Sequence, residues 1–307
     1  MPAEPGRETR VSIDTHGAPA SGGEDFDYHA VSHAGEVRSS NQDFALAGEL
    51  PGQPGWTLLV VADGVGGQAR GEWASRMATE TLVAGLTDLF NPADPSRSLT
   101  AGIAAANEAV FAGGSEDPGG RPATTLVCAL VHGGRGWWAN AGDSRIYVVR
   151  GGTAQQLSAD HSWVAEQVRA GRMTEDEAAK SSQRNIITRS IGFERDVRAD
   201  GGEVALRPGD RLLLCSDGVH GVVSRADLAR FAGEGTAHDA AAALVAAARA
   251  AGAPDNATAV VGCWRGARPD TNTAAAGRRS RRGRSALALG LAVLAIATAA
   301  VVAIRSF

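Results

Sequence analysis

Apolar positions along this chain switch repeatedly between a strand-like and a helix-like period. Trp56-Thr57-Leu58-Leu59-Val60-Val61 is a short apolar run ending in Ala62-Asp63-Gly64, which predicts a buried strand. From about residue 71 to residue 89 the period becomes helical, with Ala78, Leu82, Leu86 and Leu89 on one face. Pro92 and Pro95 end that helix, and Leu99, Ile103, Ala106 and Val110 carry the same period into a second one. Strands are then expected over residues 124–132, 136–141 and 145–150, with Gly133-Gly134 and Gly151-Gly152 as hairpin turns. A polar helical stretch, residues 162–180, interrupts them. Further strands fit residues 211–215 and 257–264, with Ala-rich helices between. Strands joined by tight turns, with helices inserted in pairs, predict antiparallel sheets covered by helices, an α+β fold. No internal repeat is present.

The two ends differ from this body. Residues 1–25 are rich in Gly, Pro and Glu, lack a hydrophobic period and contain no signal-peptide core, so they read as a disordered tail before a folded domain at 26–266. Arg278, Arg279, Arg281, Arg282 and Arg284 precede residues 286–304, nineteen residues without a charge. At ~1.5 Å per residue that run nearly spans a ~30 Å hydrocarbon core, which predicts a C-terminal transmembrane helix. It has no polar face for water. The arginines of the basic linker, residues 267–285, are a positive-inside signal. They place the large domain in the cytoplasm, anchored to the plasma (inner) membrane by a single pass.

Composition sharpens the picture. Of the 307 residues 44% are apolar and 21% charged, enough for a proper core. Net charge is −4, yet residues 268–307 hold seven arginines and one acid, leaving 23 basic against 33 acidic side chains in the rest. An acidic body is a poor nucleic-acid binder. Cys128, Cys215 and Cys263 are far apart, odd in number and each inside an apolar run, which excludes a disulfide framework or thiolate zinc site.

The chemistry is carried by acids. Asp43, Asp63, Asp217 and Asp255 are each expected at the end of an apolar strand, and Asp143 opens another in Gly142-Asp143-Ser144-Arg145. One Asp-Gly after a strand is usually a turn. Several carboxylates from strand ends can instead converge on one point, where hard divalent cations take oxygen ligands. Gly64-Val65-Gly66-Gly67-Gln68-Ala69 also fits the dinucleotide-binding pattern, but the acids about twenty residues on, Glu80 and Asp88, fall inside a helix. Asp63 would moreover repel a pyrophosphate. P-loop and hydrolase-elbow motifs are absent.

Taken in order, Arg38-x-x-Asn41-Gln42-Asp43, Asp63-Gly64-Val65-Gly66-Gly67, Thr124-Thr125, Gly142-Asp143-Ser144-Arg145, Asp160-His161-Ser162, Asn185 with Thr188-Arg189-Ser190-Ile191-Gly192, Ser216-Asp217-Gly218 and Asp255-Asn256 resemble the bacterial PP2C-type (PPM) metal-dependent serine/threonine protein phosphatases. The resemblance spans about residues 28–265. It implies a four-layer αββα sandwich and two Mn²⁺ or Mg²⁺ ions. Asp63 would bridge them, the Gly64 carbonyl would ligate one, Asp217 and Asp255 would complete the other, and Asp43 would act through water. Arg38 would clamp the substrate phosphate, with Asn256 beside it. A third ion would use Asp217 and an acid before the Thr-Thr pair, Asp117 or Glu116. Residues 163–192 would form a flap that helps choose substrates, and His161 would be mainly structural. Where relatives carry His, this chain has Val65 and Gln68, so the general acid stays open.

The implied partners are phosphorylated proteins and bacterial Ser/Thr kinases, met by a monomeric catalytic domain. Two alternatives stand beside this reading: a metal-poor phosphoprotein-binding module, and a phosphatase dedicated to one regulator such as an anti-sigma antagonist.

Overall fold

Eleven strands and seven helices form from residues 24–66, 68–114 and 121–267, the part of the chain that this computed structural model describes. The strands are β1 (Glu24–His33), β2 (Asp43–Glu49), β3 (Thr57–Val65), β4 (Ala123–Thr124), β5 (Leu126–His132), β6 (Arg135–Ala141), β7 (Arg145–Arg150), β8 (Thr153–Gln156), β9 (Asp200–Ala205), β10 (Arg211–Cys215) and β11 (Ala257–Ala267). The helices are α1 (Gln68–Leu89), α2 (Pro95–Gly113), α3 (Trp163–Arg169), α4 (Glu175–Lys180), α5 (Asp217–His220), α6 (Arg225–Gly233) and α7 (Ala237–Ala250). One sheet runs β1-β11-β10-β7-β8 and the other β2-β3-β5-β6-β9, with β4 beside the end of β3. Every strand pair is antiparallel.

Strand alternation sorts the core into three layers. In β3, Leu58, Val60 and Ala62 pack with Leu82 and Leu86 of α1 and Leu99 and Ile103 of α2. Leu59 and Val61 point the other way, against Ile146, Leu212, Leu214 and Val260 of the second sheet. The far face of that sheet, through Tyr147, Leu213 and Val261, buries Leu228 of α6 and Leu244 of α7. Two sheets between helix pairs give the layered α+β architecture. Trimming one such side chain, Leu82→Ala for instance, removes about 2–5 kcal/mol.

Local signals explain most boundaries. Pro95 takes the first helical position of α2, and Asp94 caps it by accepting from Arg97 N–H. All four hairpin glycines have positive φ, as the tight turns require. The helical stretch at 162–180 resolves into two short helices: Gly171, at φ +67°, follows the first, and a Thr174–Glu177 capping box starts the second. The expected strand at 124–132 breaks at Thr125, whose N–H turns to the Asp63 carbonyl at 2.8 Å. The edge strands β1, β2, β8 and β9 were not among the expected elements. β1 begins at Glu24, two residues inside the expected tail. All three cysteines are free and buried. Glu80 and Asp88 lie within α1, against the dinucleotide pattern. Among the described residues no helix is long and apolar enough to cross a membrane. The expected anchor at 286–304, the basic linker beyond Ala267 and Asp117 all lie outside the described residues.

Candidate active site

Asp43 opens β2 and Asp63 lies two residues before the end of β3, and the two are direct register partners. Their parity matches Ala45, Ala47, Leu59 and Val61, so both carboxylates project toward the second sheet. Two like charges directly opposite on one sheet face repel. Asp217 follows β10 at the start of α5, and Asp255 lies just before β11. The expectation that each of these acids ends a strand fits Asp63 and Asp217 and is corrected for Asp43 and Asp255, which lie at or before a strand start because the strands run antiparallel. Asp43 opens its strand and Asp255 precedes one, while Asp63 lies near the end of its strand and Asp217 just past one, which brings all four to one edge of the sandwich.

The sheets are stitched together at this edge. Ser216 Oγ donates to Asp43 Oδ2 at 2.8 Å and accepts from Thr258 N–H at 3.1 Å. The Thr258 hydroxyl in turn bonds Ser32 Oγ at 2.6 Å. Thr125 Oγ1 accepts from Asp63 N–H at 3.0 Å and bonds Ser144 Oγ at 2.8 Å. Gly64 must be glycine for space. A Cβ there would stand 2.1 Å from the Gly71 carbonyl oxygen and 2.7 Å from that of Gln42. This close approach sets the backbone after Asp63 against the first turns of α1.

Electrostatically the cluster is over-full of acid. Burial, then the Asp217 and Asp255 charges, push Asp43 up to about 7. Burial and the surrounding acids, Asp43 first, hold Asp63 well above the carboxylate range. Asp217 is raised by burial and by Asp255, and it hydrogen-bonds the Asp63 carboxyl. Asp143 also rises to about 7, through burial and the nearby Asp217. This acid was legible as a motif but carried no assigned role, and its coupling to Asp217 now brings it into the site. Asp43 Oδ1 and Asp217 Oδ1 are buried with no hydrogen-bond partner. Among the described residues no group of three or more His, Cys, Asp or Glu side chains is close enough together to hold a metal ion by itself. Orphaned buried carboxylate oxygens that repel one another are nonetheless the donor chemistry that Mg²⁺ and Mn²⁺ take, completed by backbone carbonyl and water.

Arg38 lies in the β1–β2 loop with its side chain half exposed, and its Nη2 donates to Asp255 Oδ2 at 2.7 Å. Asn256 corrects an expectation. Instead of facing substrate it is buried, and all its side-chain bonds go to the loop that carries Arg38. Nδ2 donates to the Ala34 and Ser40 carbonyls at 2.9 and 2.8 Å, and Oδ1 accepts from Gln42 N–H at 2.8 Å. His161 is buried. The flap segment is tied down by the Thr124–Ile191 and Ser162–Ile187 bridges.

Comparison with known proteins identifies the family. Residues 32–248 match the model of protein phosphatase 2C, and the chain belongs to that family. It is 34% identical over 200 residues to protein phosphatase PhpP of Streptococcus pneumoniae, covering 64% of this chain and 80% of that one. It is 36% identical over 236 residues to serine/threonine protein phosphatase PstP of Mycobacterium tuberculosis, spanning 76% of this chain and 44% of that longer protein. A crystal structure of the M. tuberculosis phosphatase PstP/Ppp superposes with a TM-score of 0.70 at 34% identity, covering 78% of this chain and 98% of that one. The PstP catalytic domain solved with two manganese ions gives 0.68 at 33% identity, covering 78% and 97%. Serine/threonine phosphatase Stp1 of Staphylococcus aureus gives 0.73 at 31%, covering 81% and 99%.

Proposed function

We propose that this chain is a protein serine/threonine phosphatase that hydrolyses phosphoserine and phosphothreonine with the aid of two Mn²⁺ or Mg²⁺ ions. The observation that carries this reading is the meeting of Asp43 and Asp63 from one sheet with Asp217 and Asp255 from the other, beside the Arg38 guanidinium. Asp63, the Gly64 carbonyl, Asp217 and Asp255 would hold the ions, with Asp43 behind them. When bound, such ions activate water at neutral pH and offset charge on the transferring phosphoryl group. Arg38 orients the phosphate through a planar fork suited to two phosphate oxygens. Asn256 fixes the loop from which Arg38 reaches. A further ion would use Asp217 with Asp117 or Glu116, the two acids before the Thr-Thr pair that lie outside the described residues.

Phosphorylated proteins are the substrates in this reading, and Ser/Thr kinases its opponents. The uncharged run at 286–304 and its flanking arginines support a single-pass anchor with the catalytic domain on the cytoplasmic side. The full-length protein in a detergent-free soluble fraction would remove the anchor from this proposal. The activity is tested by full-length protein on a phosphothreonine peptide, titrated with Mn²⁺ and repeated with EDTA, Asp63→Asn and Asp217→Ala. Turnover that depends on Mn²⁺ and is lost in all three controls is the expected result. Wild-type rates in either variant would overturn the mechanism.

A further inference from the structure

A buried polar side chain of α2 reaches out of its own helix. Asn107 is 1% exposed, and its amide bonds the residues that follow the flap segment. Oδ1 accepts from Gly192 N–H at 2.7 Å, and Nδ2 donates to the Glu194 and Arg195 carbonyls at 3.1 and 2.8 Å. An amide suits this seat because one short planar head accepts on one side and donates on the other. The fit is close. Gly192 takes φ +85°, and a Cβ there would stand 2.2 Å from Val110 Cγ1, on the same face of α2.

The strip held in this way leads to Asp63 in two steps. Ile191, fully buried, exchanges both backbone bonds with Thr124. Thr124 N–H donates to the Ile191 carbonyl at 3.0 Å, and Ile191 N–H donates to the Thr124 carbonyl at 2.8 Å. Thr125 then grips Asp63 on both sides: its N–H donates to the Asp63 carbonyl at 2.8 Å, and its Oγ1 accepts from Asp63 N–H at 3.0 Å. The Thr124 hydroxyl has one proton to share between the Asp63 and Thr125 carbonyls, at 2.9 and 2.8 Å. From the other edge, Gly64 N–H donates to the Gln42 carbonyl at 3.2 Å. The peptide between Asp63 and Gly64 is therefore fixed at its carbonyl and at its N–H. It joins two residues assigned to the ions, so a shift in it displaces both.

We propose that Asn107 is a positioning residue: by fixing the base of the flap segment it fixes, through Thr124 and Thr125, the Asp63–Gly64 peptide and so the affinity for the divalent ions. This rests on reading Asp63 and Gly64 as ion ligands. Groups that orient ligands from behind are worth about 10–100-fold in metal affinity. Asn107→Leu keeps the bulk and leaves Gly192 N–H and two carbonyls without this partner. Asn107→Asp keeps the shape and the acceptor but gives up both donations. Thr125→Val keeps the shape and loses the acceptor for Asp63 N–H, whereas Thr125→Ser retains it.

The test uses the full-length protein and has two arms. In EDTA, amide hydrogen exchange is expected to quicken over residues 62–65 and 190–195 in Asn107→Leu, while residues 211–215 keep the wild-type rate. Uniformly faster exchange would mark a plain loss of stability and overturn the proposal. In the second arm, Mn²⁺ affinity by calorimetry falls about ten-fold in Asn107→Leu and in Thr125→Val, and stays near wild type in Thr125→Ser. On p-nitrophenyl phosphate the Mn²⁺ concentration for half-maximal rate rises in parallel, while kcat at saturating Mn²⁺ stays near wild type. Both residues act along one path, so the double variant binds Mn²⁺ no more weakly than Thr125→Val. Effects that multiply overturn the proposal, as does wild-type Mn²⁺ affinity in folded Asn107→Leu. Should Leu fail to fold, Asn107→Asp replaces it, and wild-type affinity there overturns the proposal equally. A wild-type protein that binds Mn²⁺ yet turns over no phosphate ester overturns the phosphatase reading alone, and one that binds none overturns both.

Discussion

Removing an acid from this site should make the ion-free protein more stable. Asp143 is 8% exposed, and burial followed by repulsion from Asp217 and Asp160 lifts it from 3.8 to about 7. At roughly 1.4 kcal/mol per unit, a rise of about three units makes its ionisation in the folded state cost about 4 kcal/mol. The folded value lies above the unfolded one. The carboxyl therefore imposes no cost below about pH 4, and the full cost is reached once the pH passes about 7. Asn has nearly the same shape and does not ionise. Asp143→Asn should accordingly leave stability unchanged near pH 4 and raise it by about 2–4 kcal/mol at pH 8, the lower figure allowing for water entry and relaxation. In a domain of this size that is roughly 5–15 °C in Tm. Urea unfolding of full-length wild type and variant, followed by tryptophan fluorescence in EDTA at several pH values, measures it. With saturating Mn²⁺ the order should reverse, because the carboxylate then has a cation to face. A variant less stable than wild type in EDTA at pH 8, or a difference that does not change with pH, would refute the reasoning.

Three further outcomes follow from the same geometry. Asp43 and Asp143 both lie near about 7 without ions, so Mn²⁺ binding at pH 6 should expel protons and at pH 9 should expel almost none. Calorimetry in buffers of different ionisation enthalpy counts them, and equal release at both pH values would contradict the shifts. Gly64→Ala should lose Mn²⁺ binding and at least ~2 kcal/mol of stability, since both neighbours of the new Cβ are backbone oxygens; a variant with a wild-type urea midpoint would show that the backbone yields. Arg38→Ala should change stability by less than ~1 kcal/mol, because its pair with Asp255 is half exposed, while kcat/KM for phosphopeptide falls steeply. Unchanged kcat/KM would remove Arg38 from phosphate binding.

The layered core was readable because its signals are dense and local. The run from Trp56 to Val61 and the helical repeats through Leu82 and Ile103 leave few alternatives for which face is buried. The edge strands were harder to see. β9 alternates half-buried and exposed residues and contains two glycines, so its hydrophobic contrast is weak, and the sheet pairing that defines it comes from distant Trp137 and Trp138. At the site, the acids and Arg38 could be listed from motifs, whereas their grouping depends on strand register. The opposition of Asp43 and Asp63 is a pairing across a long loop, and Asp143 reaches Asp217 only because β7 and β10 are neighbours. Asn256 was misjudged for the same reason: an amide beside a catalytic acid looks like a substrate contact until its backbone partners are seen.

The layer between the two sheets has a consequence of its own. Leu59, Val61 and Val127 on one side meet Leu212, Leu214 and Val260 on the other, and β3, β10 and β11 among their strands carry or adjoin Asp63, Asp217 and Asp255. The thickness of that apolar filling works as a spacer block in a calliper whose jaws are Asp43 and Asp63 on one arm, Asp217 and Asp255 on the other. Adding or removing a methyl group there changes the gap between the jaws. Mg²⁺ demands near-ideal geometry at about 2.0–2.1 Å, whereas softer demands suit larger ions. On the proposed reading of the site, packing between the two sheets would thereby tune which cation the protein prefers.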